Sequence, residues 1–112
     1  MIYELREYVA VPGKSAEMHA RFAEHTLGLF EKHGLTVTGF WTDSADDARI
    51  FYLLSFPDVD AEARAWKLFQ DDPEWKRVKT ESEADGPIVA EMRSTTLTAT
   101  PYWLHETIAE RS

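Results

Sequence analysis

The run Ile50-Phe51-Tyr52-Leu53-Leu54-Ser55-Phe56 constrains the fold more than any other stretch of the chain. Its apolar residues are consecutive, not alternate, and Pro57 stops it, as expected of a central strand covered on both faces. With 112 residues there is room for one modest core. Something must therefore lie on each side of this strand, and the other elements have to be arranged around it.

Residues 2–9 read as a strand, with Tyr3, Leu5, Glu7 and Val9 on one face and Ile2, Glu4, Arg6 and Tyr8 on the other. Neither face is purely polar. Pro12-Gly13 turns the chain, and residues 15–33 then take a helical period. Met18, Phe22, Thr26, Leu29 and His33 form its apolar stripe, while Glu17, Arg21 and Glu24 fall on the far side. After Gly34, residues 35–42 give a second strand, with Leu35, Val37, Gly39 and Trp41 alternating against Thr36, Thr38, Phe40 and Thr42. Residues 43–49 form a polar loop short enough for a hairpin into the 50–56 run. Asp58 or Asp60 caps a helix over 61–70, in which Ala61, Ala65, Leu68 and Phe69 share a side and Trp66 sits off it.

A further helix over 73–85 is bracketed by its own punctuation. Asp72 is the N-cap, Pro73 occupies the first turn, and Gly86-Pro87 follows as the stop. Its apolar stripe, Trp75 and Val78, is thin for a core helix and suits closure over a pocket, with Trp75 as the anchor. Residues 88–98 are the last strand, and Thr100-Pro101-Tyr102-Trp103 begins an aromatic tail. One domain over 1–101 with a tail over 102–112 is the expected division.

The order β-α-β-β-α-α-β, its last two helices making one crossover, is an α+β split-βαβ arrangement. It predicts a four-stranded antiparallel sheet of order 4-1-3-2 with helices on one face. The other face carries mixed residues and lacks a further helix, so a second copy packed sheet to sheet is expected to cover it.

Composition narrows the partners. A net charge of −8 opposes non-specific binding to nucleic acid or anionic lipid. No apolar run approaches the roughly 20 residues of a spanning helix, and Met1 leads straight into a strand pattern with no signal-like core. The chain has no cysteine, which excludes thiolate chemistry and fits a cytoplasmic location.

Several short motifs, taken in order, resemble the NIPSNAP family: Tyr3-Glu4-Leu5-Arg6-Glu7-Tyr8, Pro12-Gly13-Lys14, Asp72-Pro73-Glu74-Trp75, Ser82-Glu83-Ala84-Asp85-Gly86-Pro87 and Thr100-Pro101-Tyr102. The similarity runs over about residues 3–102. It implies a dimeric α/β barrel of the ferredoxin-like kind and no settled activity. Eukaryotic relatives are associated with mitochondria and vesicle traffic, but this chain shows no Arg- and Ser-rich leader.

Candidate chemical groups are scattered. There is no His pair at i,i+4, no Gly-x-Gly-x-x-Gly and no Gly-Lys-Ser/Thr loop. His19 and His25 project about 120° apart on a helix, so a shared metal is not expected. His25, bordering the first helix's apolar stripe, is the titratable group of most interest. Glu7 would join it as an acid–base couple if its strand face packs on the helices. On the opposite face Glu4, Arg6 and Tyr8, with Glu91 and Arg93 beside them and Tyr52 across, would form a polar cluster inside the barrel or at the dimer interface. That cluster either sets register through charge pairing or binds an anion or carbonyl through Arg6, Arg93 and a tyrosine hydroxyl. Trp66 and Trp75 could wall a pocket for a planar ligand. No cofactor is expected, and heme is disfavoured because residues 58–86 contain no histidine of the kind that heme-degrading monooxygenases of this fold place on a crossover helix.

Three functions follow. The first is a homodimer with a small-organic-molecule pocket between helices and sheet, built from Trp66, Trp75 and Tyr52 with His25 or Arg6 fixing a polar end. The second is a cofactor-independent oxygenase or isomerase using His25 or Glu7 as base. The third is a scaffold whose interface is the acidic back of the 73–85 helix, around Glu81 and Glu83.

Overall fold

A computed structural model describes residues 1–103. Strand β1 (Ile2–Ala10) leads into helix α1 (Ser15–Arg21), a π-helical turn (Phe22–Thr26) and helix α2 (Leu27–Lys32), which together make one continuous helical rod. The hairpin β2 (Thr36–Asp43) and β3 (Asp46–Phe56) follows, then α3 (Val59–Asp71), α4 (Pro73–Ser82) and β4 (Val89–Thr98). The sheet order β2-β3-β1-β4, antiparallel at each pairing, is the predicted 4-1-3-2 arrangement. The aromatic tail lies outside the described residues beyond Trp103, and His105 with it.

The 50–56 run occupies the interior of the sheet as expected. Ile50, Tyr52, Leu54 and Phe56 are buried beneath the helices, and β1 aligns Tyr8, Arg6, Glu4 and Ile2 opposite them. The strand begins earlier than its apolar run, at Asp46, because Asp43 caps a tight turn by accepting from the Ala45 N–H and so carries the ladder into the polar loop.

The π-helical turn makes the first rod irregular. The Leu27 N–H donates to the Phe22 carbonyl, five residues back, where an α-helix would place the bond four back, and the Thr26 hydroxyl donates to the Arg21 carbonyl at 3.2 Å. The wider turn keeps Met18, Phe22, Thr26 and Phe30 on the sheet side. Arg21, read from the period as a far-side residue, is also corrected: its side chain is buried, with only 8% of its surface exposed, because α4 packs over it and supplies Ser82 and Trp75 as neighbours, with Glu83 just beyond.

Strand β2 departs from simple alternation in a similar way. The register slips between Val37 and Gly39, so Val37 and Phe40 both face the helices where strict alternation places them on opposite faces. Phe40 stacks on Tyr52 with ring centroids 4.9 Å apart and an interplanar angle of 7°. On the open face the Trp41 ring folds back over Gly39, where any Cβ would collide with it.

Two helix boundaries also shift. Helix α4 ends at Ser82, short of residue 85, with the turn completed by Gly86 at φ 117°. In α3, capped by Asp58, Ala65 and Phe69 are buried but Leu68 is 55% exposed, because Trp66 and not Leu68 turns toward the sheet.

Candidate functional site

The helices stand over the even-numbered face of β1, and this decides which candidates meet. Glu4, Arg6, Tyr8 and Tyr52 lie between sheet and helices. Glu7 is on the open face, opposite Phe51 and Arg93. The Glu7–His25 couple therefore does not form, since the sheet stands between them. Arg93 and Glu91 also belong to the open face, where they pair with Glu7 and Val9; Ser94 and Met92 take the places beside Arg6 and Tyr8. The expected cluster of Arg6 with Arg93 is corrected accordingly, and so is its expected location in the barrel interior between two sheets. The reason is parity: on adjacent antiparallel strands, residues in register share a face, and Arg93 registers with an odd-numbered residue of β1.

What does assemble is a hydrogen-bonded network centred on Arg6. Its guanidinium donates to Glu4 Oε2 at 3.0 Å, to the Tyr8 hydroxyl at 2.8 Å and to the Tyr52 hydroxyl at 3.3 Å. One of its faces lies on the Trp66 ring, 4.3 Å from the centroid. Glu4, 3% exposed, also accepts from Trp66 Nε1 at 2.7 Å and from the Ser94 hydroxyl at 2.6 Å. Burial pushes the Glu4 carboxyl up, but the bonds from Ser94 and Trp66 and the Arg6 charge outweigh it and hold it below the ordinary carboxylate range. Its neighbour Glu62 is pushed the other way, by burial and then by the Glu4 carboxylate. The strand period puts Glu4 on the same face as Arg6 but does not reveal that it anchors Arg6. The signal available was a carboxylate two residues before an arginine on one strand face, which also fits a solvated pair.

The two tyrosines can be resolved by counting protons. Their oxygens are 3.0 Å apart. Tyr52 is fully buried, its hydroxyl is kept protonated by that burial, and it already accepts from Arg6. Among the described residues, the Tyr8 oxygen is the acceptor within its reach, so a satisfied buried donor requires Tyr52 to donate to Tyr8. Tyr8 then accepts from both Arg6 and Tyr52, and its own proton is left to point elsewhere.

Tyr8 lines an open-mouthed pocket of about 550 Å³ between sheet and helices, so that proton is available to an acceptor placed there. Arg6 and Tyr8 lie on its floor, and Phe22, Phe30, Trp66, Phe69 and Trp75 supply aromatic walls. The size is that of a small-ligand site. Of the residues expected at a site, Arg6, Tyr8, Trp66 and Trp75 line this pocket, and Tyr52 lies immediately behind its floor. His25 lies in a separate surface depression with Glu24, Val78 and Glu81.

Helix α4 forms one wall and is tied at both ends. Asp72, its N-cap, accepts from the Glu74 N–H at 2.7 Å, from Lys32 at 2.9 Å and from His33 Nε2 at 2.6 Å. The bonds from Lys32 and then His33 hold the Asp72 carboxyl far below its usual range. At the other end Arg21 donates to the Ser82 hydroxyl and to Glu83, at 3.1 and 3.0 Å, and places its guanidinium 5.4 Å from the Trp75 ring centroid. Glu83 is thus turned to the pocket rim and is not part of an outer acidic face.

Among the described residues no cluster of His, Asp and Glu could hold a metal ion, and no helix is long and apolar enough to cross a membrane.

Comparison with known proteins agrees with the architecture. No curated protein sequence matches the chain. Among solved structures, a NIPSNAP-like domain protein from Burkholderia xenovorans superposes with a TM-score of 0.77 at 17% identity, covering 91% of this chain and 87% of that one. A NIPSNAP family protein from Agrobacterium tumefaciens gives 0.78 at 15% identity, covering 90% and 94%. SnoaB, a cofactor-independent oxygenase from Streptomyces nogalater, gives 0.64 at 19% identity, covering 91% and 97%. At these identities the likeness is one of fold. The NIPSNAP family model, however, matches residues 3–103, nearly the whole sequence, and the chain belongs to the NIPSNAP family.

Proposed function

We propose that this protein binds a small, largely planar organic molecule in the pocket between helices and sheet. The observation that carries this reading is the coincidence of aromatic walls with a donor-rich floor. Trp66, Trp75 and Phe69 offer ring faces and edges. Arg6 keeps a second proton on each terminal nitrogen beyond its bonds to Glu4 and Tyr8, and Tyr8 keeps its hydroxyl proton. An acceptor oxygen of a ligand would complete these donors.

The test is titration with an uncharged apolar fluorophore, N-phenyl-1-naphthylamine, read by energy transfer from tryptophan. Saturable binding that weakens about tenfold in Trp75→Ala fits an aromatic wall residue. Binding that does not saturate, or that ignores this substitution, would remove the reading.

A cofactor-independent oxygenase is the second reading, favoured by the fold shared with SnoaB. Here the acid–base group would be Tyr8 with Arg6 behind it, because neither His25 nor Glu7 reaches the pocket. Oxygen uptake with an enolisable aromatic substrate that persisted in Tyr8→Phe would eliminate this assignment.

A homodimer, packed through the open sheet face, belongs to the same proposal. That face carries Leu5, Phe51, Leu53 and Trp41, with Trp41 54% exposed. A second sheet would cover them. A reducing cytoplasm suits the cysteine-free sequence.

A further inference from the structure

Resting on the pocket reading above, we infer that the ligand is an organic anion: an aromatic acid whose carboxylate sits at the pocket mouth and whose far end carries an uncharged acceptor oxygen. The inference comes from the distribution of charge. The whole chain is acidic, at −8. The residues lining the pocket reverse that sign: Arg6, Arg21, Lys76 and Lys79 stand against the one carboxylate of Glu83.

Pairing does not cancel the excess. Arg6 is balanced by Glu4 behind the floor, so the floor is neutral overall while still rich in donors. At the mouth Arg21 and Lys79 share Glu83, at 3.0 and 3.2 Å. Two cations on one carboxylate leave a positive charge there, and Lys76 adds another: among the described residues it makes no ion pair, and Asp71, which it attracts from beyond that distance, is already paired with Lys67 at 2.9 Å. Helix α4 sorts its own charges accordingly. Its Arg77 is neutralised by Glu81 at 3.1 Å and neither of these lines the pocket, whereas Lys76 and Lys79 do. A solvated helix face would need no such segregation.

Cations at the rim of an apolar cleft raise the local concentration of anions and hold them where water still screens the pair. The ends of the ligand are therefore assigned differently. A full negative charge belongs at the mouth. The floor, already neutralised by Glu4, takes a keto or hydroxyl oxygen through the free proton of Tyr8. The aromatic body spans the walls between.

The experiment compares three probes by calorimetry on the full chain: 6-hydroxy-2-naphthoate, its methyl ester, and 2-naphthoate lacking the hydroxyl. The hydroxy acid is expected to bind about tenfold tighter than its ester at low salt, and to lose that advantage near 0.5 M salt. Lys76→Gln with Lys79→Gln, both exposed positions, should bring the acid down to the affinity of the ester and leave the ester unchanged. Tyr8→Phe should bring the hydroxy acid down to the affinity of 2-naphthoate. Equal binding of acid and ester, or an advantage that survives in the lysine variant, overturns the anion inference while the pocket stands. If neither the acid nor the ester binds the wild-type chain, the pocket reading falls and this inference falls with it.

Discussion

Trp66 and Glu4 are joined by a 2.7 Å hydrogen bond across 62 positions of sequence, from the α3 indole to a carboxylate in the first strand. The same carboxylate holds Arg6, and Arg6 lies on the face of Trp66. The three side chains form a closed set in which each restrains the others, and the pocket floor depends on all of them.

Replacing Glu4 by Gln keeps the shape and removes the charge. Arg6, 13% exposed, would then be a nearly buried cation without its counter-ion. The expected loss in unfolding free energy is about 3 kcal/mol, measured by urea denaturation. Trp66→Phe, which removes only the charged hydrogen bond and part of the stacking surface, should cost about 2 kcal/mol. A Glu4→Gln variant as stable as wild type would show that the pair is not structural.

Acid should loosen the junction between the first helical rod and α4. The Asp72 carboxyl is depressed by Lys32 and His33, so its folded value lies below its unfolded one. A depressed acid contributes stability that is fully present above the unfolded value, near 4, and is lost as pH falls through the folded one. Melting temperature should therefore decline progressively below about pH 4, and Asp72→Asn should flatten that decline. An acid limb unchanged in Asp72→Asn would count against this origin.

Trp75 is half-buried, its ring centroid 4.7 Å from that of Phe69 and its face near Arg21. Trp75→Ala should lower stability by about 2 kcal/mol, less than a fully buried tryptophan. Because α4 is tied by Asp72 and by Arg21, the helix should keep its place and its amide-exchange protection while the pocket widens. Loss of protection along α4 would instead show Trp75 to be what seats the helix.

The open sheet face predicts the assembly state. Leu53→Arg, in the middle of that face, should convert a dimer into a monomer in sedimentation velocity while leaving the circular dichroism spectrum unaltered. A wild-type chain that sediments as a monomer over the micromolar range would leave that face without its proposed partner.

Much of the fold was legible from punctuation and period. Asp72-Pro73 and Gly86-Pro87 bracket a helix because of what those residues do to backbone donors and dihedral angles, and the 50–56 run, stopped by Pro57, reads as an interior strand. The pocket was legible in part. Trp66, Trp75, Arg6, Tyr8 and Tyr52 gather where a ligand could sit, while His25, Glu7 and Arg93 fall elsewhere.

The misplaced residues share a cause. Local sequence determined that β1 is a strand and which residues share each of its faces, since side-chain parity is a property of the extended chain. It could not say which face the helices cover, because both carry mixed side chains and the choice is made by partners far along the chain: Tyr52 opposite Arg6, Trp66 reaching Glu4, Ser94 beside it. The β2 bulge that turns Phe40 inward and the π-helical turn next to Arg21 are likewise irregularities that a period cannot carry. Elements and their order follow from short-range chemistry. The buried arginine network and the pocket above it exist only once tertiary packing has removed those groups from water and left one another as their hydrogen-bond partners.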